Sequence, residues 1–202
     1  MFEKLLAQVS VQDQMKIMKY NRWQDKESHL IGRLIWNMAL KNCNHSANEE
    51  INITEYGRPV WPLENGDANI SHSVDRVVVA VSDYGSVGID IERKSQIDIN
   101  EYRTGFSVVE WESIIVENDG QLDAFYEMWT KKEAVIKADG RGWSNEKEAI
   151  TWQGTIATLD TKKYHVSPLN RFSAYSCHVA ASSNHGGNMM YIELTKLEGD
   201  RL

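Results

Sequence analysis

The sequence contains few cysteines, few prolines and no long hydrophobic run. Cys43 and Cys177 are the only thiols in 202 residues, too far apart for a disulfide framework or a zinc-binding spacing. Three prolines leave no Pro-rich linker. No segment reaches the roughly 18 apolar residues of a transmembrane helix, and residues 1–14 lack the apolar core of a secretory signal. We therefore expect a cytoplasmic protein with no membrane association.

Composition and charge indicate a globular chain of one domain or two small ones. Hydrophobic residues make up 42% and charged residues 25%, which is enough apolar material for a folded core. The net charge of −7 opposes general binding to nucleic acid. It leaves room for a local basic pocket that binds a small phosphorylated ligand.

Periodicity predicts two groups of helices and two groups of strands. Apolar residues recur at helical spacing over 11–42, 107–117 and 121–138, and Gly140 ends the last of these segments. Alternating or β-branched patterns predict strands at 77–81, 87–92, 150–158, 173–181 and 189–196. This order predicts an α+β fold built from two halves.

The clearest local unit is a predicted β-hairpin over residues 76–92. Its two strands flank the turn residues 83–86. Residues 69–73 read as a short polar loop. The hairpin register would bring residues 71–73 of that loop close to Glu92.

Two carboxylates stand two residues apart on the second predicted strand. Asp90 and Glu92 share one face, while Ile89 and Ile91 take the other. Adjacent carboxylates repel, and a Mg²⁺ ion, which prefers oxygen ligands, would remove that repulsion. The alternative is an ordinary solvent-exposed face.

A second candidate lies on the helix that ends at Gly140. Trp129, Glu133 and Lys137 follow one another at steps of four and share a helix face. Glu133 would supply a third carboxylate to an ion held by the strand. The alternative is a Glu–Lys surface pair one turn apart.

Further polar residues are candidates for binding phosphate. His72, flanked by Ser71 and Ser73, has the donors that a phosphate needs. Arg58 follows a glycine turn and would pair with another phosphate. The alternative for His72 is an ordinary loop histidine.

These segments together resemble a known family. They are YGRP (56–59), NISHS (69–73), VGIDIE (87–92), FSVVE (106–110) and WTKKEAVIKADGRG (129–142). In this order they are similar to the 4′-phosphopantetheinyl transferases, specifically the larger monomeric type that activates peptide synthetases.

The resemblance implies a fold and a reaction. The fold would be a pseudo-twofold pair of α+β halves, residues 1–85 and 86–202, with the active site in the cleft between them. The substrate would be coenzyme A, whose phosphopantetheine arm moves to a serine of an apo acyl or peptidyl carrier protein with release of 3′,5′-ADP. The protein would act as a monomer.

The resemblance also implies roles for individual residues. Asp90, Glu92 and Glu133 match the metal-binding carboxylates, and Glu133 is placed to take the proton of the carrier serine. His72, Arg58 and Lys137 match residues that contact the phosphates of coenzyme A. The metal is expected to be Mg²⁺, although Mn²⁺ accepts the same oxygen ligands.

Three questions stay open at this level. The family commonly has an arginine where this chain has Ser28, and the sequence leaves open whether Lys26 or Arg33 takes its place. Segment 106–117, with Phe106 and Trp111, is either the surface that docks the carrier or part of the core. The alternative functions are a Mg²⁺-dependent hydrolase of the coenzyme A pyrophosphate and a non-catalytic module that binds coenzyme A or a carrier protein.

Overall fold

The structure is a computed structural model that describes residues 1–47, 51–62, 64–116, 119–142, 150–182 and 189–195, the last range by its backbone. The helices are α1 (Phe2–Leu6), α2 (Val11–Met18), α3 (Trp23–Asn42), α4 (Val108–Ile115) and α5 (Gln121–Asp139). The strands are β1 (Asp67–Ser73), β2 (Arg76–Ser82), β3 (Val87–Arg93), β4 (Ile150–Gln153), β5 (Ile156–Leu159), β6 (Lys162–Pro168), β7 (Tyr175–Ser182) and β8 (Met189–Thr195). In these ranges no helix is both long and apolar enough to cross a membrane.

The strands form two antiparallel sheets. One has three strands in the order β1-β2-β8, and the other has five in the order β3-β7-β6-β5-β4. This mixture of helices and separate sheets confirms the predicted α+β class. β8 belongs to the first sheet although it lies in the segment assigned to the second half. The division at residues 85 and 86 stays a prediction.

The helices cover these sheets as their apolar periodicity predicts. One side of α3 packs Ile35, Trp36 and Leu40 against Val77 and Val79 of β2. Helix α5 packs on the five-stranded sheet through Ala134, Val135 and Ile136. The predicted helix over 11–42 is two helices, α2 and α3, whereas 107–117 and 121–138 correspond closely to α4 and α5. Gly140 ends α5 in the left-handed region, with φ 84°.

The predicted hairpin of residues 76–92 is wrong. β2 pairs with β1 and β8, and β3 pairs with β7. The turn between β2 and β3 instead leads the chain from one sheet to the other. Val78 and Ala80 pack against Ile89 and Ile91 through side chains, so the two strands share a core without sharing backbone hydrogen bonds.

Two other strand predictions need correction. Residues 69–73 lie within strand β1 and are not a loop. The region predicted as strand over 150–158 is two strands, β4 and β5, separated at the turn that Gly154 predicts, and β6 follows as a further strand outside the predicted ranges. Gly154 has φ 60°, a conformation that glycine adopts without steric cost.

Side chains of β1 join the two sheets. Every second side chain of β1 accepts a hydrogen bond from a backbone N–H on the edge of β3 that faces away from β7. We call this set the β1–β3 ladder; its pairs are Asp67 with Val87 (2.8 Å), Asn69 with Ile89 (2.9 Å), Ser71 with Ile91 (3.4 Å) and Ser73 with Arg93 (3.0 Å). The ladder satisfies donors that a sheet edge would otherwise leave unpaired.

Candidate active site

Close packing of α5 on β3 creates the site. A Cβ atom at Gly88 would overlap the carbonyl oxygen of Ala134 and the backbone nitrogen of Ala138. Only glycine therefore allows the helix to lie this close to the strand. Asp90 follows two residues later on the same face of β3, so it lies beneath the last turns of α5.

Asp90 is the buried centre of the site. Its side chain is only 3% exposed, and Oδ1 lies 2.6 Å from Nζ of Lys137 and 2.9 Å from Oγ of Ser71. The other oxygen, Oδ2, is buried and has no hydrogen-bond partner among the described residues. A carboxylate oxygen in that state is costly unless a further cationic or donor group binds there.

Glu92 lies beside Asp90 and is half-buried. Its Oε2 accepts a hydrogen bond from Oγ of Ser73 at 2.9 Å. Burial, followed by the negative charge of Asp90, raises the pKa of the Glu92 carboxyl above its usual value. The Ser73 hydrogen bond and the charge of Lys137 act in the opposite direction. Two neighbouring carboxylates with little solvent are the electrostatic environment that a divalent cation relieves.

Lys137 connects the helix to this strand. Its Nζ also donates to Oγ of Ser71 at 3.0 Å. Glu133, one turn earlier, lines a cleft of about 260 Å³ together with Lys137 and Arg58. Glu92 lines a separate cleft of about 560 Å³ whose wall includes Trp129 and Tyr102.

The three predicted metal ligands do not converge in this conformation. Asp90 and Glu92 are neighbours, but among the described residues no three carboxylate, imidazole or thiol side chains lie close enough to hold one ion. The participation of Glu133 as a third ligand stays a prediction.

Arg58 makes structural contacts at the end of α5. Its guanidinium donates to the carbonyl oxygens of Lys137, Ala138 (3.3 Å) and Val87 (2.9 Å), and it forms an ion pair with Asp67. The bonds to Lys137 and Ala138 satisfy carbonyls that the end of α5 leaves unpaired, and the bond to Val87 satisfies a carbonyl of β3. Arg58 also lines the cleft of Glu133, and its predicted contact with coenzyme A stays a prediction.

His72 lies on the other side of β1 from its two serine neighbours. Side chains alternate along a strand, so Ser71 and Ser73 face β3 while His72 is exposed toward α3. Its ring centroid lies 6.0 Å from that of His29. The expected proximity to Glu92 therefore holds for Ser73, through the β1–β3 ladder, and is wrong for the His72 side chain.

Two regions of the matched segments belong to the core. Lys132 is buried and lies 2.6 Å from Glu110, which also accepts from Trp152 at 2.8 Å. Phe106 and Trp111 are both buried in the cluster between α4 and α5. The core alternative for these aromatic residues is therefore confirmed.

Sequence reasoning missed Asn69 and Asp67 as neighbours of β3, and it placed Ser73 near Glu92 only as part of a loop. The signal was present as polar residues at every second position from 67 to 73, which is the pattern of a strand with one polar face. Proximity to a turn and the mixed polar composition instead suggested a loop.

Comparison with known proteins places this arrangement in a family. A family model for the 4′-phosphopantetheinyl transferase superfamily matches residues 86–187, and one for the N-terminal part of 4′-phosphopantetheinyl transferases matches residues 1–84. The first match includes β3 and α5 and covers half of the chain.

Several curated proteins are similar in sequence. The 4′-phosphopantetheinyl transferase gsp of Aneurinibacillus migulanus is 37% identical over 70% of this chain and 60% of its own length. The transferase Sfp of Bacillus subtilis is 30% identical over 70% and 65%, respectively. The L-aminoadipate-semialdehyde dehydrogenase-phosphopantetheinyl transferase of Mus musculus is 33% identical over 83% and 57%. This chain thus spans less than two thirds of the length of these relatives. On the family match, which contains both the acidic strand and the helix above it, the chain belongs to the 4′-phosphopantetheinyl transferase superfamily.

Proposed function

We propose that this protein transfers the 4′-phosphopantetheine arm of coenzyme A to a serine of an apo carrier protein and releases 3′,5′-ADP. Besides membership of the family, one observation carries the proposal. The buried Asp90 and the half-buried Glu92 form an acidic pair on β3, and Oδ2 of Asp90 has no hydrogen-bond partner in the described part of the chain. Such a pair favours an ion that binds phosphate oxygens.

The oxygen donors on β3 fit Mg²⁺. Proteins commonly hold this ion by one or two carboxylates and leave its other positions to water and substrate phosphates. We assign Asp90 and Glu92 as ligands, and Glu133 as the further ligand implied by the resemblance. When bound, Mg²⁺ would neutralise charge on the pyrophosphate and on the departing 3′,5′-ADP.

The chain's own residues bind the substrate and move the proton. In the proposed step, the serine oxygen bonds to the phosphorus that carries the pantetheine arm, and the bond from that phosphorus to the oxygen of 3′,5′-ADP breaks. Glu133, directly or through water, accepts the serine proton. Lys137 neutralises pyrophosphate charge. Ser71, His72 and Arg58 are proposed to contact the phosphate and adenine portion of coenzyme A.

Carrier docking is assigned to α4. With Phe106 and Trp111 in the core, the apolar side chains that this segment offers to a partner include Val108 and Val109, which are exposed. Contact between a carrier and these side chains would bury apolar surface on both proteins, and this binding would position the carrier's serine. The proposal includes a monomeric protein that works in the cytoplasm, where coenzyme A and apo carriers meet.

Intact mass spectrometry tests the reaction directly. The protein is incubated with coenzyme A, Mg²⁺ and an apo carrier domain, and the expected product is a carrier that has gained one phosphopantetheine group. A matched carrier with its acceptor serine replaced by alanine should gain nothing. Breakdown of coenzyme A without a carrier would indicate the hydrolase, and binding without any turnover would indicate the non-catalytic module.

A further inference from the structure

The last two pairs of the β1–β3 ladder repeat one arrangement. Oγ of Ser71 bonds to the carboxylate of Asp90 and accepts from the N–H of the next residue, Ile91. Oγ of Ser73 bonds to the carboxylate of Glu92 (2.9 Å) and accepts from the N–H of Arg93 (3.0 Å). The first two ladder pairs have no such carboxylate contact, because the residues that precede Val87 and Ile89 are Ser86 and Gly88, which carry no carboxylate.

The direction of each hydrogen bond follows from the chemistry of the groups. A backbone N–H can only donate, so the serine oxygen accepts there. An ionised carboxylate can only accept, so the single hydroxyl proton of Ser73 must point to Oε2 of Glu92. The backbone bond therefore fixes the position of the hydroxyl, and the hydroxyl fixes one oxygen of the carboxylate.

We propose, on the basis of the proposed function, that Ser73 is a positioning residue that orients the Glu92 carboxylate for the divalent cation. Ser73 is nearly buried, and it lines the same cleft as Glu92. Glu92 is only half-buried and lies near the end of β3, where a glutamate side chain has several accessible rotamers. Removal of a hydrogen bond that orients a metal ligand commonly lowers metal affinity by about 10- to 100-fold.

An isosteric pair of variants isolates the hydroxyl. Ser73→Thr keeps the oxygen and adds a methyl group, whereas Ser73→Val has the same shape without the oxygen. Mn²⁺ is titrated into each protein at saturating coenzyme A, and free Mn²⁺ is measured by electron paramagnetic resonance. The amount that coenzyme A binds in a sample without protein is then subtracted from the total bound Mn²⁺. Thermal unfolding without metal reports any general damage to the fold.

We expect Ser73→Val to bind Mn²⁺ at least about tenfold more weakly than wild type, and Ser73→Thr to stay within about threefold. The Mg²⁺ concentration for half-maximal transfer should shift in parallel, while the rate at saturating Mg²⁺ changes less. Ser73→Ala gives the same comparison should the valine variant not fold.

Equal Mn²⁺ affinity in the wild type, threonine and valine proteins would overturn the positioning role and leave the proposed transferase untouched. Equal loss in both variants would also overturn it, because the hydroxyl would then make no difference. A wild-type protein that binds no more Mn²⁺ than coenzyme A alone would instead refute the metal site itself, and the role of Ser73 with it.

Discussion

The proposed role of Asp90 is to bind a cation, and its charge contributes little to the stability of the fold. A buried carboxylate is normally surrounded by donors, yet this one has its hydrogen bonds at Oδ1 and none at Oδ2 within the described structure. Replacing it with a neutral group of the same shape would relieve repulsion with Glu92. The folded protein without metal therefore gains little from the charge of Asp90 beyond its pairing with Lys137.

Asp90→Asn should reduce phosphopantetheine transfer by more than about 100-fold while the protein stays folded. The amide keeps the shape and the hydrogen bond from Ser71, but it cannot supply the negative charge that a hard cation needs. Transfer rate and unfolding temperature measured on the same sample separate these effects. A variant that keeps a near-normal rate in Mg²⁺ would contradict the assignment of Asp90 as a ligand.

Because His178 is buried, we expect the free energy of unfolding to fall in mild acid. Burial, helped by the positive charge of Lys131, lowers the pKa of His178 from 6.5 to about 4. Because the folded-state pKa lies below the unfolded value, the neutral ring contributes stability above pH 6.5 that is lost as the pH falls toward 4. The loss would be up to about 3 kcal/mol.

Chemical denaturation of wild type and His178→Asn between pH 7 and pH 4 checks this expectation. The difference in unfolding free energy between the two proteins should shrink as the pH falls, since only wild type has the buried imidazole to protonate. His165→Asn is a matched control, because His165 is exposed on β6. A difference that is constant with pH would contradict the burial effect.

Elements with strong local signals were predictable, and their partners were not. The apolar spacing of α5 and the glycine that ends it are visible in the sequence, and so is the β-branched run of β2. The pairing of β2 depends on β8, more than a hundred residues later, and no local pattern specifies it. The turn after β2 has the composition of a hairpin turn. The same composition also suits a turn that leads the chain to another sheet.

The site was predictable to a similar extent. The spacing of Asp90 and Glu92 predicts that both lie on one face of a strand, and the helical steps of four predict that Glu133 and Lys137 share a helix face. Only the resemblance brings that helix face to the strand. The hydrogen bonds from Ser71 and Ser73 to the two carboxylates were hidden, because they depend on how two strands that are not backbone-paired lie against each other. The buried pair of Lys132 and Glu110 was equally hidden, since sequence alone gives lysine a solvent-exposed position.

Alanine substitutions at two glycines between helices and sheets should change the free energy of unfolding in opposite directions. Gly88→Ala should lower the free energy of unfolding by about 3 kcal/mol, because the added methyl group would overlap the backbone of α5. Gly32→Ala should raise it by about 1 kcal/mol. Its Cβ would meet Ile70 and Val77 at 3.7 and 3.9 Å, which is ordinary contact, and alanine favours the interior of α3.

Urea denaturation of the two variants and wild type provides the measurement. Transfer activity of the Gly88 variant should also fall, since displacement of α5 moves Lys137 away from Asp90. Equal stability of the two alanine variants would show that α5 does not lie as close to β3 as described.

At the scale of the whole molecule, the two sheets meet along an edge. β3 forms backbone bonds to β7 on one side only, and side chains of β1 occupy the other side. The apolar cluster between β2, β3 and β7 reinforces this junction. The two sheets should therefore unfold together rather than as independent units.

Amide hydrogen exchange tests the junction. The N–H groups of Ile89 and Ile91 should exchange nearly as slowly as those of Gly88 and Asp90, although the former face the edge of the sheet. Asn69→Ala should accelerate exchange at Ile89 with a much smaller effect at Asp90. Fast exchange at both edge amides of the wild-type protein would contradict the ladder.

The β1–β3 ladder also affects how this protein can change over evolution. Backbone hydrogen bonds between strands have the same length whatever the side chains, so substitutions leave their spacing nearly fixed. Here the spacing between the sheets is set by the reach of aspartate, asparagine and serine. Exchanging a short polar residue for a longer one at positions 67 to 73 would open or tilt the junction by small increments, so substitutions there would change the spacing between the sheets without changing the interior of either sheet.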